Sequence, residues 1–88
     1  MQELTAQLRH VTNEQGEPLT FSYTLLAEVS SDGFTHYGIG IQSSAGDCTC
    51  LSRLTVDRAE AEKLLELAVE AVLSPHHLTD VVEDWLGQ

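Results

Sequence analysis

The stretch Leu19-Thr20-Phe21-Ser22-Tyr23-Thr24-Leu25-Leu26-Ala27-Glu28-Val29-Ser30 alternates apolar and polar side chains. The odd-numbered positions are apolar, and the even-numbered positions are polar except for Leu26. Successive side chains of a strand point to opposite faces, so this period of two predicts a half-buried antiparallel strand over residues 19–30. Ser31-Asp32-Gly33 follows and predicts a hairpin turn, in which Gly33 adopts a positive φ.

The segments on either side of this strand also carry an alternating pattern. In residues 3–12, Leu4, Ala6 and Leu8 alternate with polar residues, which favours a strand. Leu4, Leu8 and Val11 also fit a helical period, so strand and helix both remain open for this segment. In residues 34–43 the apolar face is formed by Tyr37, Ile39 and Ile41.

Gly38 and Gly40 lie on the opposite face of that third strand. Glycines inside a strand weaken it, and they mark a bulge, a bend or the close approach of another group. They do not form a dinucleotide-binding loop, because the third glycine and the following helix are missing. A fourth strand is predicted over residues 48–56, with one side formed by Cys48, Cys50, Leu54 and Val56 and the other by Thr49, Leu51, Arg53 and Thr55.

The hydrophobic period changes after the fourth strand. Asp57 followed by Glu60 is a capping-box pattern, and residues 58–73 are rich in Ala, Leu and Glu, which favour a helix. Ser74 and Pro75 predict the start of a second helix. The expected inward stripe of the first helix comprises Ala61, Leu64, Leu65, Ala68 and Val72. Apolar residues at 78, 81, 82, 85 and 86 form the buried face of the second, with Leu78 and Trp85 expected to be buried against the sheet.

A run of strands followed by helices predicts an α+β fold. We expect two layers: a four-stranded antiparallel meander, and two helices packed on one face of that sheet. The length of 88 residues predicts a single small domain spanning residues 1–88.

The formal net charge of −10 restricts the kind of partner. Fourteen acidic residues face only four Lys and Arg, which disfavours nucleic acids and anionic membranes, because both are bound through cations. A basic protein is the compatible partner. No signal peptide and no apolar run of membrane-spanning length is visible, so we expect a cytoplasmic protein.

Cys48-Thr49-Cys50 is the first candidate for chemistry. On a strand both thiols point to the same side, with Cα atoms roughly 6.5–7 Å apart, so a disulfide between them would distort the strand. We expect both cysteines to be buried as small apolar residues, reduced and free of metal. Metal binding and redox chemistry are the alternatives.

His76-His77 is the second candidate. Adjacent helical residues point in different directions, so the pair does not form a two-histidine metal face. His77 and Asp80 have the spacing of a base and the residue that orients it, but we expect no Ser or Cys nucleophile nearby. Helix capping and packing are therefore expected, and enzymatic activity is not.

The third candidate is the acidic stripe Glu62, Glu66 and Glu70 on the first helix. Residues four apart are neighbours on a helix surface, where like charges cost a few tenths of a kcal/mol per pair. Glu83 and Asp84 follow on the second helix. These five residues form a solvated face or a docking surface for a basic partner.

Tyr23, Tyr37-Gly38-Ile39 and the C-terminal segment Ser74-Pro75-x-His77-Leu78-x-Asp80-Val81-Val82-Glu83-Asp84-Trp85-Leu86 together carry a resemblance. The combination resembles a family of short bacterial proteins of unknown function, and it covers about residues 21–86. The resemblance implies a stable bacterial cytoplasmic domain. It implies no activity, cofactor or catalytic residue.

These patterns predict a non-enzymatic protein-interaction or regulatory module without a cofactor. Its contact surface would be the acidic helical surface or an exposed sheet edge. The alternative is a small-ligand or metal sensor that uses Cys48, Cys50 and a histidine. Repulsion between highly charged chains predicts a monomer or a weak homodimer.

Overall fold

The computed structural model describes residues 2–87. Its strands are β1 (Gln2–Thr12), β2 (Pro18–Val29), β3 (Thr35–Ser43) and β4 (Cys48–Thr55), paired antiparallel in the order β1-β2-β3-β4. They are followed by α1 (Arg58–Glu70), a 3₁₀ turn (Pro75–His77) and α2 (Leu78–Leu86). The predicted α+β class and element order are confirmed, and the ambiguous residues 3–12 form a strand. The single-domain prediction includes Met1 and Gln88, which lie outside the described residues.

The predicted apolar face of β2 forms the centre of the core. Tyr23 and Leu25 are fully buried, as is Ile39 beside them on β3. The helices cover this face of the sheet, and their buried residues include Leu64 and Leu78. The hairpin after β2 is also as predicted, with Gly33 at φ 86°.

The apolar residues of β1 do not share one face, because Leu4 packs against the core and Leu8 does not. Opposed residues of an antiparallel pair share a face, and the register pairs Thr5 with Leu25 and Gln7 with Tyr23. The polar residues of β1 therefore lie on the helix-covered side, while Leu8 is 59% exposed on the other side. Neighbouring strands determine this register, which overrides the local apolar pattern.

The alternation predicted for β4 holds from Cys48 to Leu51 and fails beyond it, because the strand contains a bulge. Leu51 pairs with Ile39 and Thr55 pairs with Tyr37, so residues 52–54 oppose a single residue of β3. Arg53 adopts a positive φ of 57° within this bulge. Leu51 lies on the core side with its partner Ile39, and the bulge turns Leu54 towards the core as well.

Gly38 is the β3 residue opposite this bulge. A Cβ atom at Gly38 would lie 2.1 Å from the backbone oxygen of Leu51. The prediction that a glycine marks a bulge and a close approach is confirmed here, since no larger residue fits without moving the backbone of β4.

The start of α1 follows the prediction in part. Asp57 caps the helix by accepting a hydrogen bond from the Ala59 N–H at 2.9 Å. The reciprocal bond expected from Glu60 is replaced, because the Asp57 N–H donates to Thr55 Oγ1 at 3.0 Å.

The helix ends at Glu70, three residues before the predicted end at residue 73. The Leu73 N–H donates to the Ala68 oxygen at 3.0 Å and the Val72 N–H to the Val69 oxygen at 3.2 Å, which is a Schellman ending. Val72 has the left-handed φ of 51° that this ending requires, and it still packs against the core.

The second helix begins with the 3₁₀ turn. Ser74 does not cap the backbone with its side chain, whereas Pro75 takes the first position as predicted. Leu78 is fully buried as expected, but Trp85 is only half-buried against the core.

Candidate functional site

β1 is an edge strand of the sheet, and within residues 2–87 its outer side offers a long row of backbone groups without a strand partner. Hydrogen-bonded and non-hydrogen-bonded residue pairs alternate along an antiparallel ladder. The Asn13 N–H donates to the Glu17 oxygen, and continuing this alternation along the register places Thr5, Gln7, Arg9 and Val11 in bonded pairs with β2. The N–H and C=O groups of the intervening residues point away from the sheet; these are Ala6, Leu8 and His10.

The other edge of the sheet, β4, is a poorer template for pairing. It has 8 residues against the 11 of β1, and its bulge at residues 52–54 interrupts the row of backbone groups. The register of β1 with β2 is uninterrupted from Thr5 to Thr12, and its irregularity is confined to the Glu3/Thr5 end. The regular edge is therefore the one at β1.

A groove of about 220 Å³ runs between β1 and α1, and we call it the β1–α1 groove. It is lined by Thr5, Gln7, Glu62, Leu65 and Glu66. Leu65 is 3% exposed and belongs to the core, so the groove has an apolar floor and two carboxylates on its helical wall. The inward direction of the polar β1 residues creates the opposite wall.

The structure divides the five predicted acidic residues into separate groups. Glu62 and Glu66 line the β1–α1 groove, while Glu70 lies one turn further along α1 and is not among the groove residues. Glu83 and Asp84 lie on α2, which follows a 3₁₀ turn packed against β3 and β4. All five are exposed, but only the first two adjoin the regular edge.

Arg58 partly compensates the charge of this groove. Its Nε donates to Glu62 Oε1 at 2.7 Å, one turn along α1. Within residues 2–87, Glu66 makes no ion pair with a basic side chain, so the groove keeps a net negative charge. Sequence reasoning identified the acidic residues but missed Thr5 and Gln7, because their inward direction follows from strand pairing.

The prediction that Cys48 and Cys50 are buried is wrong: both are exposed free thiols. They lie on the sheet face that carries no helices, which we call the outer face, since Cys50 pairs with Gly40 opposite the buried Ile39 and Ile41. The bulge turns Leu54 to the core side, so the predicted grouping of Cys50 with Leu54 on one face is wrong. The two sulfurs are 3.9 Å apart.

The pKa of the Cys50 thiol is raised. Desolvation over the sheet is the main cause, and the hydrogen bond with Cys48, the Cys48 charge and the Glu3 carboxylate act in the same direction. Each of these disfavours the thiolate form, so Cys50 remains a thiol at neutral pH when no cation is bound.

His76 and His77 each lie beside a polar side chain other than a cysteine. His76 Nε2 lies 3.4 Å from Asp47 Oδ2, and His77 Nδ1 lies 3.0 Å from Ser74 Oγ. The expectation that no serine lies near His77 is wrong, and the three-residue spacing of Ser74 was the signal. Asp80 does not reach His77 within ion-pair distance in the described chain, and no cluster of three His, Cys, Asp or Glu ligands occurs there.

A cleft of about 400 Å³ lies near the β2–β3 hairpin and is open to solvent. Its lining combines Leu4, Ala27 and Tyr37 with the charged side chains of Glu28 and Arg58. In residues 2–87, no helix is both long and apolar enough to span a membrane.

The chain belongs to a family that is described as a family of unknown function (DUF6514), whose model matches residues 2–88. The predicted resemblance to a family of unknown function is thereby confirmed. No curated protein and no solved structure matches the chain.

Proposed function

We propose that this member of the family of unknown function is a non-enzymatic protein-interaction module, which binds an extended basic segment of a partner protein along β1. The partner segment would add a fifth strand to the sheet, a mode in which backbone hydrogen bonds supply much of the affinity. Ala6, Leu8 and His10 present the backbone donors and acceptors for it. Each bond contributes about 0.5–1.5 kcal/mol net.

The regular edge is the observation that supports this proposal. Proteins usually protect an exposed edge strand with prolines, bulges or short length. β4 has such a bulge, whereas β1 pairs regularly from Thr5 to Thr12 and contains no proline. A long open edge beside a groove is the arrangement that a partner strand requires.

The charge of the β1–α1 groove supports a basic partner. Side chains of an added strand would alternate between the helix side and the outer face. Those on the helix side would extend past Thr5 and Gln7 towards Glu62 and Glu66. An exposed ion pair contributes only about 0.2–1 kcal/mol. These carboxylates therefore contribute more to the specificity for a basic partner than to the affinity. The net charge of −10 also accelerates encounter with a basic protein.

The first experiment removes one edge donor without changing the β1–β2 ladder. Leu8→Pro deletes an N–H that points away from the sheet, whereas Leu8→Ala shortens the same side chain and keeps the N–H. Tagged wild-type and variant domains are used to capture proteins from a lysate of the source organism, with quantification by mass spectrometry. Circular dichroism confirms that each variant is folded.

We expect a basic protein to be captured by the wild-type domain and by Leu8→Ala, and to be lost with Leu8→Pro. Equal capture by the folded Leu8→Pro domain would contradict binding at the β1 edge.

The second experiment tests the groove charges with a matched control. Glu62→Lys/Glu66→Lys and Glu83→Lys/Asp84→Lys change the net charge equally, but only the first pair lines the groove. We expect the groove variant to weaken capture and the α2 variant to retain it. Loss of capture in both variants to the same extent would mean that overall charge, rather than the groove, attracts the partner.

A further inference from the structure

The outer face carries two adjacent thiols that were expected to be buried. The structure exposes Cys48 and Cys50 to solvent, where a cation can reach them. They lie on the opposite side of the sheet from the helices, so their chemistry is separate from the β1–α1 groove.

The distance between the sulfurs fits a shared cation. Zinc binds cysteine sulfur at about 2.3 Å with tetrahedral angles, which places two coordinated sulfurs about 3.8 Å apart. The Sγ atoms of Cys48 and Cys50 are 3.9 Å apart. A disulfide would require them to approach to about 2.05 Å, which their parallel directions on one strand oppose.

A small cavity adjoins both sulfurs. Its volume is about 40 Å³, and its lining includes Glu3, Gly40, Cys48 and Cys50. A cavity needs roughly 10–15 Å³ of such space to hold one water molecule, so this one has room for one ion. Gly40 keeps this space open, because a Cβ atom there would lie 3.2 Å from Cys50 Sγ.

We propose that Cys48 and Cys50 form a two-thiolate site for a thiophilic divalent cation of the zinc and cadmium class. Thiolates select these soft cations over magnesium and calcium. Binding forms two sulfur–metal bonds and releases two thiol protons to solvent, with no change in oxidation state. Glu3, on the wall of the cavity, is an outer-sphere carboxylate that orients a metal-bound water.

Cadmium titration of the reduced domain tests this site. The thiolate-to-cadmium charge-transfer band counts sulfur ligands, and native mass spectrometry counts bound ions. We expect one Cd²⁺ per chain bound by two thiolates. Glu3→Gln should weaken binding by about 10–100-fold, the usual effect of losing an outer-sphere partner, and Cys48→Ser or Cys50→Ser should weaken it more.

His76→Ala/His77→Ala is the control for adventitious binding, since these histidines lie outside the cavity. This variant should bind Cd²⁺ with unchanged affinity. Retained affinity in Cys48→Ser/Cys50→Ser, loss of binding in the histidine variant, or half a cadmium per chain would each overturn the proposed single-chain site.

Discussion

Replacing Tyr23 with Phe removes one hydroxyl from the centre of the fold. The Tyr23 side chain is fully buried, and its hydroxyl donates to the Leu73 backbone oxygen at 2.8 Å. Leu73 also closes the end of α1 through its N–H bond to Ala68. The hydroxyl therefore ties β2 to the connection between the helices.

The expected cost follows from these contacts. A lost hydrogen bond costs about 0.5–1.5 kcal/mol, and an unsatisfied buried carbonyl costs about 1–3 kcal/mol. The Leu73 oxygen is only partly buried, so water can replace part of the bond. We expect Tyr23→Phe to lower the free energy of unfolding by about 1–2 kcal/mol.

Urea unfolding followed by Trp85 fluorescence measures this loss. Tyr37→Phe is the matched control, because Tyr37 is half-buried and its hydroxyl makes no hydrogen bond to residues 2–87. The control should change stability by less than about 0.5 kcal/mol, as do most substitutions away from such features.

The pH dependence of the free energy of unfolding is a second test of the role of the Tyr23 hydroxyl. Burial raises the pKa of Tyr23 in the folded state, while the Arg9 charge opposes this in part. Because the pKa of Tyr23 is higher in the folded state, its contribution to the free energy of unfolding is fully present below the unfolded pKa of about 10. That contribution is lost as the pH rises through the folded pKa. Wild-type stability should therefore fall more steeply than that of Tyr23→Phe above about pH 10. Equal stability at pH 7 and identical alkaline profiles would refute the role assigned to this hydroxyl.

Four further outcomes are expected. Gly38→Ala should cost at least about 1–3 kcal/mol in urea unfolding, because its Cβ would collide with backbone, whereas Gly40→Ala meets a movable thiol and should cost less. Asp57→Ala should cost about 1 kcal/mol through loss of the α1 cap, with a proportionate fall in thermal midpoint as the check. Trp85→Ala should cost less than the roughly 3–5 kcal/mol of a fully buried Trp, and a denaturant midpoint shift equal to a full core truncation would contradict its half-buried position. Light scattering should find a monomer or a weak dimer at low salt, and a tight dimer that weakens as salt rises would contradict the repulsion argument.

The sequence predicted the fold because local and tertiary preferences agree over most of it. The alternation from Leu19 to Val29 predicts the strand, its positions up to Ala27 predict the buried face, and the Asp57 cap marks where the helix begins. Element order alone was then sufficient for the α+β class.

The errors arise where pairing overrides local pattern. Strict alternation does not describe the irregular backbone of the β4 bulge, so Cys50 and Leu54 were placed on one face, although Gly38 did signal the bulge. In β1, the alternation of Leu4, Ala6 and Leu8 predicted a strand but not which side faces the core, and pairing with β2 turns Leu8 outward.

The candidate site was predictable only in its charge. Glu62 and Glu66 are visible as an acidic stripe, but their position beside an open strand edge depends on sheet order and on where α1 packs. Neither is encoded in the spacing of the acidic residues.

Amide hydrogen exchange along β1, with and without the basic protein captured by the wild-type domain, tests the proposed strand addition most directly. In the free domain, the amides of Ala6, Leu8 and His10 should exchange fast, and those of Gln7 and Arg9 should be protected by β2. When the partner is bound, amide exchange at Ala6, Leu8 and His10 should become slower. Exchange at Gln7 and Arg9 should stay nearly unchanged. Strand addition along β1 would be contradicted if a saturating concentration of the partner left exchange at Ala6, Leu8 and His10 unchanged and produced new protection on α2 or the outer face.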